Sequence, residues 1–206
     1  MLQAESLACE RGGRLLFKSL EFTLAPGTLL RVLGPNGAGK TSLLRILCGL
    51  ARPVAGRVLW SGEDAHALGE EYGRRLLYLG HLSAIKEDLT PRENLRFAQR
   101  LVGLEAPRAA LDEALARLGL AGREDVPARY LSQGQKRRAA LARLALSRAL
   151  PLWILDEPLA ALDVHAIDTV LALIGTHLAD GGMAVLTSHQ EIELASASIL
   201  RLVLAG

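Results

Sequence analysis

Short runs of apolar residues, each bounded by turn residues, recur along the chain and predict buried β-strands. They occupy residues 29–33, 57–60, 76–79, 152–155 and 183–187. The runs are almost continuously apolar instead of alternating with polar residues, which is typical of strands covered by helices on both faces. We therefore predict an α/β fold with a parallel sheet, whose ligands gather at the carboxyl ends of the strands.

Two segments have the pattern of helices. The first covers residues 41–50, directly after a glycine-rich turn, and the second extends from residue 90 to about residue 150. Thr90, Pro91 and Glu93 predict the start of the second segment, because they supply an N-cap, a first-turn proline and a capping-box acid. No apolar run approaches the roughly 20 residues that span a bilayer, so we expect neither a membrane-spanning helix nor a secretory signal.

Composition narrows the picture further. The 206 residues are enough for one compact α/β domain, and at 50% apolar but only 4% aromatic its core must consist mainly of aliphatic side chains. A formal net charge of +2 gives no electrostatic footprint for nucleic acid. Cys9 and Cys48 lie far apart, without metal-binding spacing, which fits a reducing cytosol and predicts two small buried core residues.

A glycine-rich segment between the first apolar run and the first helix fits the phosphate-binding loop pattern in full. Its glycines let consecutive backbone N–H groups surround a phosphate, and the helix that follows directs its positive end at the same anion. Lys40 is predicted to reach the β- and γ-phosphates of ATP, and the Thr41 hydroxyl to bind Mg²⁺. The predicted nucleotide-binding residues here are Gly34, Pro35, Asn36, Gly37, Ala38, Gly39, Lys40, Thr41 and Ser42.

Two acidic residues, Asp156 and Glu157, follow directly after the apolar run 152–155. In this position Asp156 is predicted to hold Mg²⁺ and Glu157 to act as the general base that activates water, with Lys40 and Glu157 as catalytic residues. The alternative is an ordinary helix cap, since Asp-Glu-Pro opens many helices. The phosphate-binding loop in the same chain favours the catalytic interpretation.

The segment Leu131-Ser132-Gln133-Gly134-Gln135 resembles the Leu-Ser-Gly-Gly-Gln signature of ABC ATPases. Ser132 and Gln135 also form a capping box, and both interpretations are compatible because a helix N-terminus attracts phosphate. The resemblance implies that residues 132–135 contact the ATP held by a second copy of the chain, and therefore a homodimer. Gln133 replaces the usual glycine.

The same resemblance implies a P-loop NTPase fold, that of an ABC nucleotide-binding domain with a RecA-like parallel-sheet core. Residues 1–81 and 151–206 would form this core, and residues 82–150 an inserted α-helical subdomain with the signature segment. Asp163 resembles the residue of the D-loop at the dimer interface, and His189 the catalytic switch histidine at the γ-phosphate. His81 stands where the family usually has glutamine, and Arg11 where an aromatic residue usually stacks on adenine.

Further segments resemble one branch of the family, the haem exporter ATPases of cytochrome c maturation. They are residues 9–11, 78–81, 85–90, 93–97 and 153–158. This resemblance implies a peripheral ATPase on the cytoplasmic face of the inner membrane, bound to multi-spanning membrane subunits and not to nucleic acid. Three alternatives stay open: an ABC subunit for another cargo, a soluble ABC ATPase acting on DNA or ribosomes, and a non-hydrolysing nucleotide switch.

Overall fold

The computed structural model describes residues 1–188, 192, 194 and 198–205. The elements follow in the order β1 (Leu2–Arg11), β2 (Arg14–Leu24), β3 (Thr28–Leu33), α1 (Lys40–Leu47), β4 (Ala55–Trp60), β5 (Glu63–Asp64), α2 (Ala65–Leu68), α3 (Glu70–Gly73) and β6 (Leu76–Leu79). They continue with α4 (Pro91–Leu101), α5 (Arg108–Arg117), a 3₁₀ turn (Ala128–Tyr130), α6 (Gln133–Leu141), α7 (Arg143–Leu146), β7 (Leu152–Leu155), α8 (Val164–Ala179), β8 (Met183–Thr187) and β9 (Ser198–Val203). Within these ranges, no helix has both the length and the apolar character needed to cross a membrane.

A five-stranded sheet in the order β6-β7-β8-β3-β9 forms the centre of the fold. All of its neighbouring strands are parallel, which confirms the predicted α/β fold class. The apolar runs at 29–33, 76–79, 152–155 and 183–187 coincide with β3, β6, β7 and β8. The edge strand β9 was not predicted, because Arg201 divides its apolar residues into two pairs, Ile199-Leu200 and Leu202-Val203.

A second, antiparallel sheet in the order β2-β1-β4-β5 packs beside the first one. The apolar run at 57–60 belongs to this sheet as β4, so its expected place among the parallel strands was wrong. Its buried residues are Val58, Leu59 and Trp60, and a short buried run does not reveal which sheet it joins. The long strands β1 and β2 were also missed, since β-bulges interrupt the register between them.

Apolar side chains fill two clusters, one on each face of the parallel sheet. The first apolar cluster contains Leu30, Leu152, Ile154 and Val185 together with α1 and the antiparallel sheet. The second apolar cluster contains Leu77, Trp153, Leu155 and Leu186 together with α4–α8. Consecutive residues of one strand therefore face different clusters, which explains why these strands are apolar throughout.

The helices between β6 and β7 begin as their sequences predict. The side chains of Thr90 and Ser132 each accept a hydrogen bond from the backbone N–H three residues later. The side chains of Glu93 and Gln135 accept one from the backbone N–H of Thr90 and Ser132, so both capping boxes are formed. Cys9 and Cys48 are buried free thiols, in agreement with the composition. The division into an ATP-binding core and a helical subdomain stays a prediction.

Candidate active site

A cleft of about 580 Å³ opens at the carboxyl ends of the parallel strands. Its lining joins the glycine-rich segment after β3 to the acidic end of β7, although these segments are more than a hundred positions apart in sequence. The residues that line it are Arg11, Leu16, Asn36, Gly37, Gly39, Lys40, Thr41, Ser42, His81, Asp156, Glu157 and Ala160. The cleft thus lies where an open α/β sheet binds its ligands.

Glycine is required at two points of the loop between β3 and α1. Gly34 has φ +145°, and a Cβ there would lie 2.6 Å from the backbone oxygen of Leu204. Gly39 has φ +98°, and a Cβ there would lie 3.1 Å from the Cβ of Leu16. These positions favour a residue without a side chain, so the loop can approach its neighbours closely.

Lys40, the first residue of α1, extends back over the loop. Its Nζ donates hydrogen bonds to the backbone oxygens of Gly34 at 2.8 Å and Pro35 at 3.2 Å. The ammonium group and the positive end of the eight-residue helix are therefore close to the same loop. This arrangement provides a positive side chain and a helix N-terminus for an anion.

Asp156 is the centre of a buried hydrogen-bond network and is only 2% exposed. Its two carboxylate oxygens accept hydrogen bonds from the hydroxyls of Thr41 and Thr187, each at 2.8 Å. The Thr187 hydroxyl in turn accepts a bond of 2.8 Å from the backbone N–H of Glu157. The network links the starts or ends of three elements, α1, β7 and β8, at one point of the cleft.

Glu157 has a backbone conformation that is uncommon for a residue with a side chain, with φ +49°. Its backbone oxygen accepts a hydrogen bond of 2.7 Å from Arg137, so both sides of the residue are held. Burial lowers the pKa of the Arg137 guanidinium, and the nearby carboxylates of Asp156 and Glu157 partly offset that effect. Such conformations persist where the surroundings fix them, and they are frequent at functional sites.

The donor set fits a magnesium ion. The Thr41 hydroxyl and the Asp156 carboxylate offer hard oxygen ligands within 2.8 Å of each other. In the part of the chain that the structure describes, no cluster of three or more His, Cys, Asp or Glu side chains could hold a metal. Mg²⁺ uses one or two protein oxygens and completes its shell with phosphate oxygens and water, so these two oxygens suit it.

The structure brings most of the predicted nucleotide-binding residues together. Arg11 and His81 both line the cleft, at its exposed rim, while Ala38 is buried below the loop. Leu16 and Ala160 also line it and were not singled out from the sequence. Thr187 and Arg137 were missed as well: Thr187 ends a predicted strand beside Asp156, whereas nothing in the sequence distinguishes Arg137 from its basic neighbours.

The signature segment, Ser132–Gln135, is not part of the described lining of the cleft. It starts α6 and lies near the loop after β7, since a Cβ on Gly134 would be 3.8 Å from the Ala161 oxygen. Asp163 caps α8 and forms an ion pair with Arg138 of α6. The two segments that the family resemblance assigns to a dimer interface are thus close to each other, joined by the ion pair between Arg138 and Asp163. His189 lies outside the described residues.

The chain is similar to known proteins along nearly its whole length. Residues 17–160 match the sequence profile of the ABC transporter family. A cytochrome c biogenesis ATP-binding export protein, CcmA, from Nitrosomonas europaea is 51% identical, over 100% of this chain and 96% of the relative. The protein of the same name from Methylococcus capsulatus is 54% identical, over 94% of this chain and 93% of the relative.

A solved structure agrees in fold. The dimeric form of an ATP-binding cassette in a post-hydrolysis state, bound to ADP and phosphate, has a TM-score of 0.83 at 24% identity. The match covers 98% of this chain and 94% of that chain. Three findings indicate the same family. They are the glycine-rich loop, the buried Asp156 that accepts a hydrogen bond from the Thr41 hydroxyl, and the matches to relatives over nearly the whole chain. The chain is an ATPase of the ABC transporter family and belongs, within it, with the cytochrome c biogenesis ATP-binding export proteins.

Proposed function

We propose that this ATPase powers an ABC transporter complex that serves the maturation of c-type cytochromes, by haem export or release of a haem chaperone. The ATP-hydrolysis part of the proposal rests on the hydrogen bond of 2.8 Å from Thr41 to Asp156, which joins the phosphate-binding loop to the acidic end of β7. The cytochrome part rests on relatives about half identical over nearly the whole chain.

Each residue of the cleft has a separate task in this proposal. The loop 34–41 and its N–H groups bind the phosphates of ATP, and Lys40 neutralises charge on the β- and γ-phosphates. Thr41 and Asp156 would hold Mg²⁺, which supplies further charge neutralisation when bound. Glu157 takes a proton from the attacking water. Arg11 lies at the rim, where its guanidinium can stack on the base, and His81 lines the same cleft.

A second copy of the chain completes the site. Two residues of the signature segment, Ser132 and Gln133, are exposed at a helix N-terminus. In a head-to-tail homodimer it would close on the γ-phosphate bound by the partner, with Asp163 at the interface and His189 at the γ-phosphate. Loss of the γ-phosphate then removes the attraction that holds the dimer closed.

The membrane part of the proposal places the dimer on the cytoplasmic face of the inner membrane. Multi-spanning subunits would bind it there, and residues 82–150 would transmit its movement to them as a helical subdomain. A transporter for another cargo is the alternative that shares this ATPase chemistry, because the membrane subunits select the cargo.

Substitution of Glu157 by Gln tests the catalytic role. The Gln variant should bind ATP normally and hydrolyse it roughly 10²–10⁴-fold more slowly, since it retains the shape but loses the base. Phosphate release with Mg²⁺ measures the rate, and a fluorescent ATP analogue measures binding. A Gln variant with the normal rate contradicts the assignment, and a wild-type protein without Mg²⁺-dependent hydrolysis supports the nucleotide-switch alternative.

Cells that carry Lys40→Ala test the biological role. With the variant expressed at the normal level, covalently bound haem in c-type cytochromes should be lost while b-type haem proteins remain. Normal haem staining would leave the ATPase assignment intact and favour the other-cargo alternative.

A further inference from the structure

Three consecutive basic residues, Lys136, Arg137 and Arg138, follow the signature segment on α6. A run of positive charge usually marks a solvated surface, but Lys136 is only 8% exposed and Arg137 7%. Lys136 forms an ion pair of 2.5 Å with Glu87, and Arg138 forms one with Asp163. Arg137 differs from these two neighbours because its guanidinium contacts backbone oxygens.

The guanidinium of Arg137 bonds to backbone oxygens at the ends of two neighbouring strands. Nη1 donates to Gly80 at 3.2 Å and His81 at 3.3 Å, directly after β6. Nη2 donates to Asp156 at 3.1 Å and Glu157 at 2.7 Å, directly after β7. One side chain therefore joins α6 to the two strand ends that form a wall of the cleft.

Only arginine has the geometry for this role. Its planar group carries several donors in a fixed fork, whereas a lysine ammonium is a single point with flexible attachment. The accepting carbonyls follow the last residues of their strands, where the sheet no longer provides N–H partners. Because the site is largely buried, these bonds are not weakened by competition with water.

The shortest of these four bonds is the one to Glu157, at 2.7 Å. This residue has φ +49°, its backbone N–H donates to Thr187, and its backbone oxygen accepts from Arg137 and, at 3.2 Å, from the N–H of Ala160. The direction of its side chain follows from that backbone, and a displacement of about 1 Å at a reacting group can cost about a hundredfold in rate. Removal of the Arg137 bond would let the backbone relax and the carboxylate move.

We propose that Arg137 is a positioning residue, which holds Glu157 in its catalytic orientation and connects it to the signature helix α6. The inference rests on the proposed function, in which Glu157 is the base and the signature segment closes on the partner's ATP. Movement of α6 on closure is then passed through Arg137 to Glu157 of the same subunit. Each subunit's catalytic base therefore responds to the nucleotide bound by the other.

The test compares Arg137→Gln and Arg137→Lys with the matched control Lys136→Gln. Lys136 is about as buried on the same helix, but its ammonium bonds to Glu87 and, within the described ranges, to no strand end. In the full chain, purified with its membrane subunits, both Arg137 variants should lose at least about tenfold in kcat, with ATP affinity changed less than about twofold. Lys136→Gln should retain kcat within about threefold.

A double-variant measurement separates positioning from general stability. In a Glu157→Gln background, Arg137→Gln should change the residual rate by less than about twofold, because it acts through a base that is already absent. If the rate losses of Glu157→Gln and Arg137→Gln multiply in the double variant, the inference is wrong. It is also wrong if Arg137→Lys retains full kcat. If Glu157→Gln hydrolyses ATP at the wild-type rate, Glu157 is not the base. The proposed function is then wrong on this point, and the inference about Arg137 is wrong as well.

Discussion

The hydroxyl of Thr187 offers a quantitative test of the buried network. It donates to Asp156 and accepts from the N–H of Glu157, and the side chain is 0% exposed. Thr187→Val keeps the shape but removes both bonds and leaves a buried carboxylate oxygen and a buried N–H without this partner. A bond to a charged group contributes about 1.5–3 kcal/mol and a neutral one about 1 kcal/mol, so the loss should be about 3 kcal/mol.

Urea unfolding without nucleotide or Mg²⁺ measures this change, since bound ligand would stabilise the folded form. For a chain of this size, about 3 kcal/mol corresponds to a decrease in Tm of about 6–12 °C. Thr187→Ser is the matched control, because it keeps the hydroxyl and loses only a methyl group. A Val variant as stable as the Ser variant would refute the view that these two bonds stabilise the network.

Three further predictions concern other parts of the chain. Gly34→Ala should lower the free energy of unfolding in urea by about 2–4 kcal/mol, because its Cβ would collide with the Leu204 oxygen. Gly37→Ala has open space around the new Cβ and should lower it less, and equal losses of stability in the two variants would contradict this. Burial raises the pKa of Cys48 to about 12, so a thiol reagent at neutral pH should modify it only after unfolding, and rapid modification of the native protein would be inconsistent with that state. Burial lowers the pKa of His177, so the unfolded chain takes up the proton more readily and stability should fall as pH decreases below about 6.5; a His177→Gln variant with the same pH dependence would show that another group is responsible.

The phosphate-binding loop could be predicted from sequence because its requirements are local. Gly34 and Gly39 occupy positions where backbone conformation and close neighbours exclude a side chain, so the residue types themselves carry the information. The capping boxes at Thr90 and Ser132 are equally local, since each joins residues three positions apart. The same is true of the acidic pair after β7, which directly follows an apolar run.

Contacts between distant segments could not be predicted in the same way. Arg137 and Glu157 are 20 positions apart, and Thr187 is 31 positions beyond Asp156, so no periodicity reports their contact. Strand β1 was missed for another reason: Ser6 has φ +47° and the register with β2 shifts there, which interrupts the alternation that marks a half-buried strand.

The two apolar clusters limit how this chain can be recombined with its relatives. Along β7, Leu152 and Ile154 belong to the first cluster, and Trp153 and Leu155 to the second, where they pack with α4–α8. The helices between β6 and β7 therefore lack part of their own core, and the sheet supplies it. A chimaera that exchanged only residues 82–150 would bring together surfaces that were never fitted to each other, with overpacking or cavities as the result. A functional exchange has to include the alternate positions of β6 and β7 that face the helices, so these strand residues and the helical segment have to be transferred together.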